Sequence, residues 1–307
     1  MRKHPLVIVL AAIVMTLTAS AAAEAQCTFT TSIAKKTMKL NADCIATASI
    51  IVPNGFTLDG AGHTITATDP SGNHFTGGVI QNGGATADVT KVTINTIGLS
   101  DVCDTGANRL RGILFDSASG SITDSRVLNI NQGAGSTCDE GNAIEVRNFG
   151  PSPTTSRVRI EGNIVSGYQK GGIVANGNVD ATITGNLVDG LGPSPLIARN
   201  GIQLGFGATG MVKRNQVSGN EYIGPEPFAA SGVLIIAGPG FAGPGFDSPY
   251  SVGSQIDQNT ISENDVGVWV VEIDADGNPP STMTNVKVVN NTISKSGVTN
   301  SYQAGVS

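Results

Sequence analysis

The chain has 307 residues, of which 40 are glycine, 5% are aromatic and 14% are charged. This composition is typical of short strands and turns and does not suggest long amphipathic helices. The formal net charge is −6, so the chain has no overall positive charge that would attract nucleic acid or an anionic membrane surface. Function classes that depend on such binding are therefore disfavoured.

The first 25 residues have the pattern of a secretory signal peptide. Arg2 and Lys3 precede an apolar run over residues 6–17, and residues 23–25 fit an A-x-A cleavage site. The apolar run is too short for a stable membrane anchor. The sequence therefore predicts an exported protein, secreted or periplasmic, with no transmembrane segment after removal of the signal.

Four cysteines in an exported chain predict two disulfides. More than one pairing is possible on paper, and the absence of any C-x-x-C spacing argues against a metal site. Sequence context favours Cys27 with Cys44, and Cys103 with Cys138, because the second pair lies in equivalent loops before two successive repeat strands.

A repeated phrase is the most informative feature of the chain: an aliphatic residue, two variable residues, an asparagine, one variable residue and a second aliphatic residue. Its asparagines are Asn95, Asn163, Asn186, Asn215, Asn259 and Asn291, and Ser125 takes the same position in one further copy. A small residue followed by an aliphatic one begins a strand downstream of each copy, as at Gly112-Ile113 and Gly201-Ile202. One such unit cannot bury its own apolar face, so these repeats predict a stacked solenoid.

Three segments follow from this pattern: a signal peptide at residues 1–25, an N-terminal cap segment at 26–51 and a single repeat domain at 52–307. The cap is expected because the open end of a solenoid core must be covered.

Residues 58–65 read Leu-Asp-Gly-Ala-Gly-His-Thr-Ile, and repeats such as Ile-Glu-Gly-Asn-Ile-Val at 160–165 follow them. These phrases resemble the right-handed parallel β-helix proteins of the pectate-lyase-like superfamily, over about residues 52–307. The resemblance implies an all-β solenoid of about seven or more coils. A physical argument leads to the same fold. Short strands that no helix connects can pair in parallel only if the chain winds as a coil, with coils about 4.8 Å apart.

The repeated asparagine suits a corner of each coil, where its amide can hydrogen-bond to the asparagine one coil away. The sequence thus predicts an internal, structural ladder of the six asparagines named above.

Strand alternation predicts which side chains face outward on one sheet. One outward row is Leu114, Glu145, Val174, Gln203, Leu234 and Trp269, and the next is Asp116, Arg147, Asn176, Gly205, Ile236 and Val271. This face is expected to be polar in the early coils and apolar in the later ones.

Asp116, Glu145 and Arg147 at the polar end are the candidate catalytic residues, with Arg111, Asp139, Glu140 and Trp269 as candidate substrate-binding residues. The resemblance implies that carboxylates on such a face act as an acid–base pair or hold Ca²⁺ against an acidic sugar. However, the catalytic strings of polygalacturonases and pectate lyases are missing from this sequence. The competing interpretation is that these charges pair with one another; a carboxylate left unpaired in an open groove would favour function.

Catalysis or metal binding by histidine has few candidate residues, because His4 is removed with the signal peptide and only His63 and His74 remain. Trp269, the single tryptophan, is either a surface on which a sugar stacks or a residue covered by the glycine- and proline-rich loop at 238–246.

The leading functional prediction is an exported β-helix protein that binds an extracellular polysaccharide or cell-surface glycan, with cleavage by a lyase or glycoside hydrolase mechanism left open. The alternative is a non-catalytic cell-envelope or surface solenoid that acts as an adhesion or structural module, because the same fold serves both roles. No cofactor is required, with Ca²⁺ as an option at the acidic end, and the sequence does not predict an oligomeric state.

Overall fold

The structure, a computed structural model, describes residues 26–133, 135–150, 154–241 and 248–307. The predicted signal peptide at residues 1–25 lies outside the described residues. Within the described ranges, no helix has the length and hydrophobicity that a membrane span requires.

The described chain is all-β, apart from a 3₁₀ helix at Gly106–Asn108. In chain order the strands are β1 (Phe29–Ser32), β2 (Thr37–Leu40), β3 (Cys44–Ala46), β4 (Ile50–Val52), β5 (Phe56–Asp59), β6 (Thr64–Ala67), β7 (Gly78–Asn82), β8 (Thr86–Thr90), β9 (Thr93–Thr96), β10 (Arg111–Asp116), β11 (Ser119–Thr123), β12 (Arg126–Leu128), β13 (Asn142–Asn148), β14 (Ser156–Glu161), β15 (Ile164–Ser166), β16 (Gly171–Gly177), β17 (Val179–Thr184), β18 (Leu187–Ser194), β19 (Asn200–Gly205), β20 (Thr209–Lys213), β21 (Gln216–Tyr222), β22 (Ser231–Ala237), β23 (Gln255–Asp257), β24 (Thr260–Asn264), β25 (Val266–Glu272), β26 (Lys287–Val289), β27 (Thr292–Ser294) and β28 (Ala304–Val306).

Successive strands belong to three different sheets, and from β2 onward each strand pairs in parallel with the strand three further along the chain. Sheet 1 contains β2, β5, β8, β11, β14, β17, β20, β23 and β26, with β1 added at its edge. Sheet 2 runs from β3 to β27 and sheet 3 from β4 to β28, each with nine strands. The described strands therefore form nine coils of a parallel β-helix, which confirms the predicted fold.

Aliphatic side chains of successive coils stack on one another inside the helix. In sheet 3, Ile113 pairs in register with Ile144, which pairs with Ile173. All three side chains are completely buried. Alternation with period two places the residues between them on the outside. Each coil thus covers the apolar face of its neighbour, as the repeat pattern predicted.

The small residue at the second position of the sheet 3 strands from β10 onward has a steric cause. A Cβ atom added to Gly201 would lie 2.4 Å from Val217 Cγ1 and 2.6 Å from the carbonyl oxygen of Gly232 in the next coil. Neither neighbour has room to give way at such a distance in a close-packed interior. The Gly-aliphatic phrase of the sequence therefore marks the place where adjacent coils approach most closely.

The N-terminal end is closed by β1, which pairs antiparallel with β2 and so covers the edge of sheet 1. Strands β2, β3 and β4 already pair in parallel with the next coil. The first coil therefore starts inside the segment 26–51 that the sequence assigned to the cap.

Both predicted disulfides are confirmed. Cys27 is bonded to Cys44, and Cys103 is bonded to Cys138. The second bond joins the loop before β10 to the loop before β13, two strands that are neighbours in sheet 3. It therefore links adjacent coils.

Five of the six predicted asparagines form a continuous internal ladder before the strands of sheet 2. From Asn186 onward, the Oδ1 atom of each accepts hydrogen bonds from the backbone N–H and Nδ2 of the asparagine one coil earlier, at 2.9–3.0 Å. Its members are Asn163, Asn186, Asn215, Asn259 and Asn291. Ser125 extends the ladder, because its backbone N–H donates to Asn163 Oδ1 at 3.0 Å.

The assignment of Asn95 to this ladder was wrong. Asn95 lies within β9, where its Oδ1 accepts from Asn129 Nδ2 at 3.1 Å outside the ladder. The ladder position in that coil is occupied by Val92, whose N–H faces Ser125 Oγ at 3.4 Å. Because the valine side chain has no amide group, the ladder ends at Ser125.

One buried carboxylate near the C-terminal end has no cationic partner among the described residues. Glu272 is 6% exposed, its Oε1 accepts from the backbone N–H of Ser251 at 2.7 Å, and the Thr284 side chain also hydrogen-bonds to the carboxylate. Desolvation raises the pKa of Glu272 above its ordinary value. Asp257 is its opposite, because hydrogen bonds from Lys213 and Asn290 lower the pKa of Asp257.

The ladder predicts that Asn186→Leu destabilises the fold. The change removes the acceptor of Asn163 N–H and Nδ2 and the donor to the Ile160 carbonyl. Leaving such buried groups unpaired costs about 1–3 kcal/mol. Chemical denaturation should show this loss in the free energy of unfolding.

Asn95→Leu is the matched control, since Asn95 belongs to the same sequence phrase but lies outside the ladder. It should lose clearly less stability than Asn186→Leu. Equal losses for the two variants would contradict a structural role for the ladder.

Because the Glu272 carboxylate has no cationic partner, we expect Glu272→Gln to become more stable relative to the parent as pH rises. The folded state holds the proton more tightly than the unfolded chain, so the parent loses stability as pH increases from the ordinary pKa of 4.5 through the raised value. Melting temperatures between about pH 4 and pH 7 should therefore show an increasing advantage for the variant.

Asp257→Asn should behave in the opposite way, because a lowered pKa stabilises the fold above the ordinary value of 3.8. Its disadvantage should be largest at neutral pH and shrink on acidification. If the melting temperatures of both variants and the parent changed with pH in the same way, this explanation of the Glu272 pKa would be ruled out.

Candidate functional site

The outer face of sheet 3 has the predicted register. Leu114 pairs with Glu145, and the same row continues through Val174, Gln203, Leu234 and Trp269. The second row runs from Asp116 and Arg147 through Asn176, Gly205 and Ile236 to Val271. The face is therefore charged in the early coils and apolar in the later ones, as expected.

At the charged end, Glu145 is held by Arg111. Arg111 Nε donates to Glu145 Oε2 at 2.6 Å, with both side chains about 5% exposed or less. Asn142 Nδ2 donates to the same oxygen at 2.8 Å. A buried and fully hydrogen-bonded pair of this kind orders the sheet, and its charge is compensated.

The other predicted residues are ion-paired or hydrogen-bonded as well. Asp116 Oδ2 accepts from Arg147 Nη2 at 2.7 Å, and Arg147 Nη1 lies 3.8 Å from Glu145 Oε1. The carboxylate of Glu140, 2% exposed, accepts the backbone N–H groups of Asp104 and Leu110 at 2.8 and 2.5 Å. Glu140 thereby fixes the loop that carries the Cys103–Cys138 bond.

These contacts favour a structural role for Asp116, Glu145 and Arg147. Each carboxylate has a cationic partner, so the uncompensated charge that the catalytic hypothesis needs is missing from this cluster. Across the described ranges, no group of three or more His, Cys, Asp or Glu side chains could hold a metal ion.

The apolar end of the same face forms a groove of about 590 Å³ around Trp269. Its floor consists of Leu234, Ile236, Trp269 and Val271, from the outward positions of β22 and β25. The indole is half-buried. Its walls include Leu196, Ile197, Tyr222, Phe228 and Phe241.

A smaller and more polar cavity of about 300 Å³ extends the groove toward the earlier coils. The two cavities share Asp139, Lys170, Asn200, Leu234 and Ile236, so they form one continuous groove. It crosses β13, β16, β19, β22 and β25, a length of about 19 Å at the spacing of paired strands. Its polar floor contains Asn142, Asn176 and Gln203. We call the whole the sheet 3 groove.

One of the predicted binding residues besides Trp269 lines the sheet 3 groove. Asp139 lies at its wall, with Lys170 Nζ 3.0 Å and Arg109 Nη1 3.8 Å from its carboxylate oxygens. Arg111 and Glu140 do not line it, since they are buried beneath the loops.

The walls were missed as functional residues by the sequence analysis. They come from the longer insertions near residues 191–200, 219–231 and 237–254, whose length is the one signal that could have identified them. Phe241 belongs to the glycine- and proline-rich loop, so the described part of this loop stands beside Trp269 as a wall. Residues 242–247 of that loop lie outside the description.

Neither remaining histidine lines the groove. His63 Nδ1 lies 3.3 Å from Asp43, and His74 Nε2 lies 2.9 Å from Asp104. Both rings are engaged with a carboxylate near the N-terminal coils.

Comparisons with known proteins give a family and one distant structural likeness. The crystal structure of the Dettilon tailspike protein is 14% identical, with a TM-score of 0.28, over 82% of this chain and 61% of the tailspike chain. This chain thus spans about three fifths of that protein, and a likeness so distant carries no argument about what this chain binds. No curated protein matches significantly.

The family match is more extensive than the structural one. The sequence model of the family described as "Right handed beta helix region" matches residues 111–307, well over half of the chain. These residues contain the strands from β10 to β28, including the whole floor of the sheet 3 groove. With parallel sheets, stacked aliphatic rows and this match in agreement, the chain belongs to the right-handed β-helix family.

Proposed function

We propose that this chain is an exported protein that binds a polysaccharide or other cell-surface glycan in the sheet 3 groove, with Trp269 as the stacking surface. The observation that carries the proposal is the half-buried indole in an apolar groove that continues into a polar one. A sugar ring has an apolar C–H face and a polar rim, and an aromatic ring beside hydrogen-bonding side chains matches both.

The polar half of the groove supports this ligand class. Gln203 Nε2 donates to Asn176 Oδ1 at 2.9 Å, and Asn200 Oδ1 accepts from Ser231 Oγ at 2.8 Å. These contacts hold neutral amides in fixed positions on adjacent coils. An amide both donates and accepts hydrogen bonds, as a hydroxyl-rich ligand requires. The length of the groove suits an extended chain of sugars better than a compact ligand.

The proposal is limited to binding. Of the described residues around the groove, Asp139 and Glu226 carry carboxylates. Asp139 is paired with Lys170, and Glu226 is exposed. A general acid is usually held against apolar surface, which keeps its proton at neutral pH, and neither residue has that environment.

Trp269 provides a direct test, because it is the only tryptophan of the chain. Intrinsic tryptophan fluorescence therefore reports on the groove alone. Titration of the mature protein with a panel of neutral and acidic polysaccharides should change the emission for at least one of them. Trp269→Ala should weaken binding of that polysaccharide about tenfold or more, as the loss of a stacking platform does.

Leu187→Ala is the matched control, because Leu187 is an exposed apolar residue on sheet 2, away from the groove. It should leave binding unchanged. If no polysaccharide altered the fluorescence, or if Trp269→Ala bound as tightly as the parent by calorimetry, the chain would be better described as a structural solenoid without this ligand.

A further inference from the structure

A second cavity lies on the other side of the loop that walls the sheet 3 groove. This loop, residues 195–199 between β18 and β19, contributes Leu196 and Ile197 to both cavities. The second cavity has a volume of about 290 Å³ and is lined by Arg199. At the small end of ligand sites, this volume suits one sugar-sized group.

Arg199 is a cation without a carboxylate partner in the described part of the chain. Its Nη1 donates to the carbonyl oxygen of Gly190. Its Nε is buried and has no hydrogen-bond partner. Among the residues that the structure describes, no acidic side chain lines the cavity. The side chain is partly buried, and a guanidinium nitrogen buried without a partner is costly for the fold.

Burial of the side chain lowers the pKa of Arg199. The guanidinium nevertheless keeps its charge at neutral pH, because the ordinary arginine value is far higher. The other arginines near the sheet 3 groove are compensated, Arg111 by Glu145 and Arg147 by Asp116. Arg199 differs from them because it lines a cavity and has a buried Nε without a partner, which leaves its charge available to a ligand.

The remaining walls of the cavity are polar and already ordered. Gln169 Nε2 donates to Ser136 Oγ at 3.0 Å and to the Cys138 carbonyl at 2.8 Å. Gln132 Nε2 donates to the Val102 carbonyl at 2.6 Å. These contacts link the cavity wall to the disulfide-bonded loop. The cavity therefore has its shape before a ligand binds.

We propose that this cavity is a binding site for a carboxylate group carried by a single acidic sugar residue, with Arg199 as the counter-charge. The two oxygens of a carboxylate match two N–H groups of a guanidinium. A sulfate ester is the other common source of negative charge on a sugar, and the experiment separates the two. The site is distinct from the sheet 3 groove, and its occupancy does not depend on Trp269.

The test is NMR titration of the mature protein with D-glucuronate, D-glucose and D-glucose 6-sulfate. D-glucuronate should shift the side-chain N–H signals of Arg199, whereas D-glucose should not. Arg199→Gln should weaken D-glucuronate binding about tenfold or more, as the loss of a charged hydrogen bond does. Arg199→Lys should retain part of it. Arg126→Gln, which removes an exposed charge on sheet 2, should retain all of it.

Equal binding of D-glucose and D-glucuronate, or unchanged binding in Arg199→Gln, would overturn the proposal. Binding of the sulfate in preference to the carboxylate would overturn the assignment of the carboxylate. If Arg199→Gln failed to fold, the Arg199 signals of the parent would still decide, because a D-glucuronate titration that leaves them unmoved excludes the site. The two tests read different residues, the Arg199 signals here and Trp269 fluorescence in the sheet 3 groove, so failure here is distinguishable from failure of the glycan groove.

Discussion

Parallel backbone pairing between successive coils, with a register that is constant along sheet 3, is the constraint on which the rest of this structure depends. Side chains alternate with period two, so a slip of one residue would turn a buried aliphatic row toward solvent. The Ile113, Ile144 and Ile173 row is completely buried, which fixes the register of sheet 3. The asparagine ladder adds a second constraint at the corner before sheet 2, because each amide meets its partner in one alignment alone.

The same constraint builds the groove from residues that are far apart in the sequence. Leu234 and Trp269 become neighbours on the outer face because their strands pair in register. The scaffold is rigid, and the insertions between coils supply the walls. This division explains why loops contribute Phe228 and Phe241 while the floor comes from regular strands.

Sequence reasoning succeeded where period two or coil stacking determined the outcome. It predicted the outward rows of sheet 3 residue by residue and the pairing of Cys103 with Cys138. It failed at Asn95, because the phrase Val-Thr-Ile-Asn at 92–95 matches the repeat by chance, three residues out of step with the ladder, in a chain rich in such residues. The actual ladder position, Val92, carries no asparagine and therefore gave no signal.

Other features depended on contacts that no local pattern encodes. The pairing of Glu145 with Arg111 crosses from one strand to the next, so sequence position alone could not decide between a catalytic carboxylate and a buried ion pair. The Arg199 cavity is formed by loops from three coils, whose course follows from packing. Insertion length could indicate where such loops lie, but not which of their residues meet in a cavity.

The central claim is that coil stacking creates a glycan-binding groove on the outer face of sheet 3. The most direct measurement is a crystal structure of the mature protein with an oligosaccharide prepared from a polysaccharide that it binds. The account predicts a sugar ring stacked on the indole of Trp269 and a chain of sugars that crosses the strands from β25 toward β13. An oligosaccharide bound on the outer face of sheet 1 or sheet 2, with the Trp269 groove unoccupied, would contradict it.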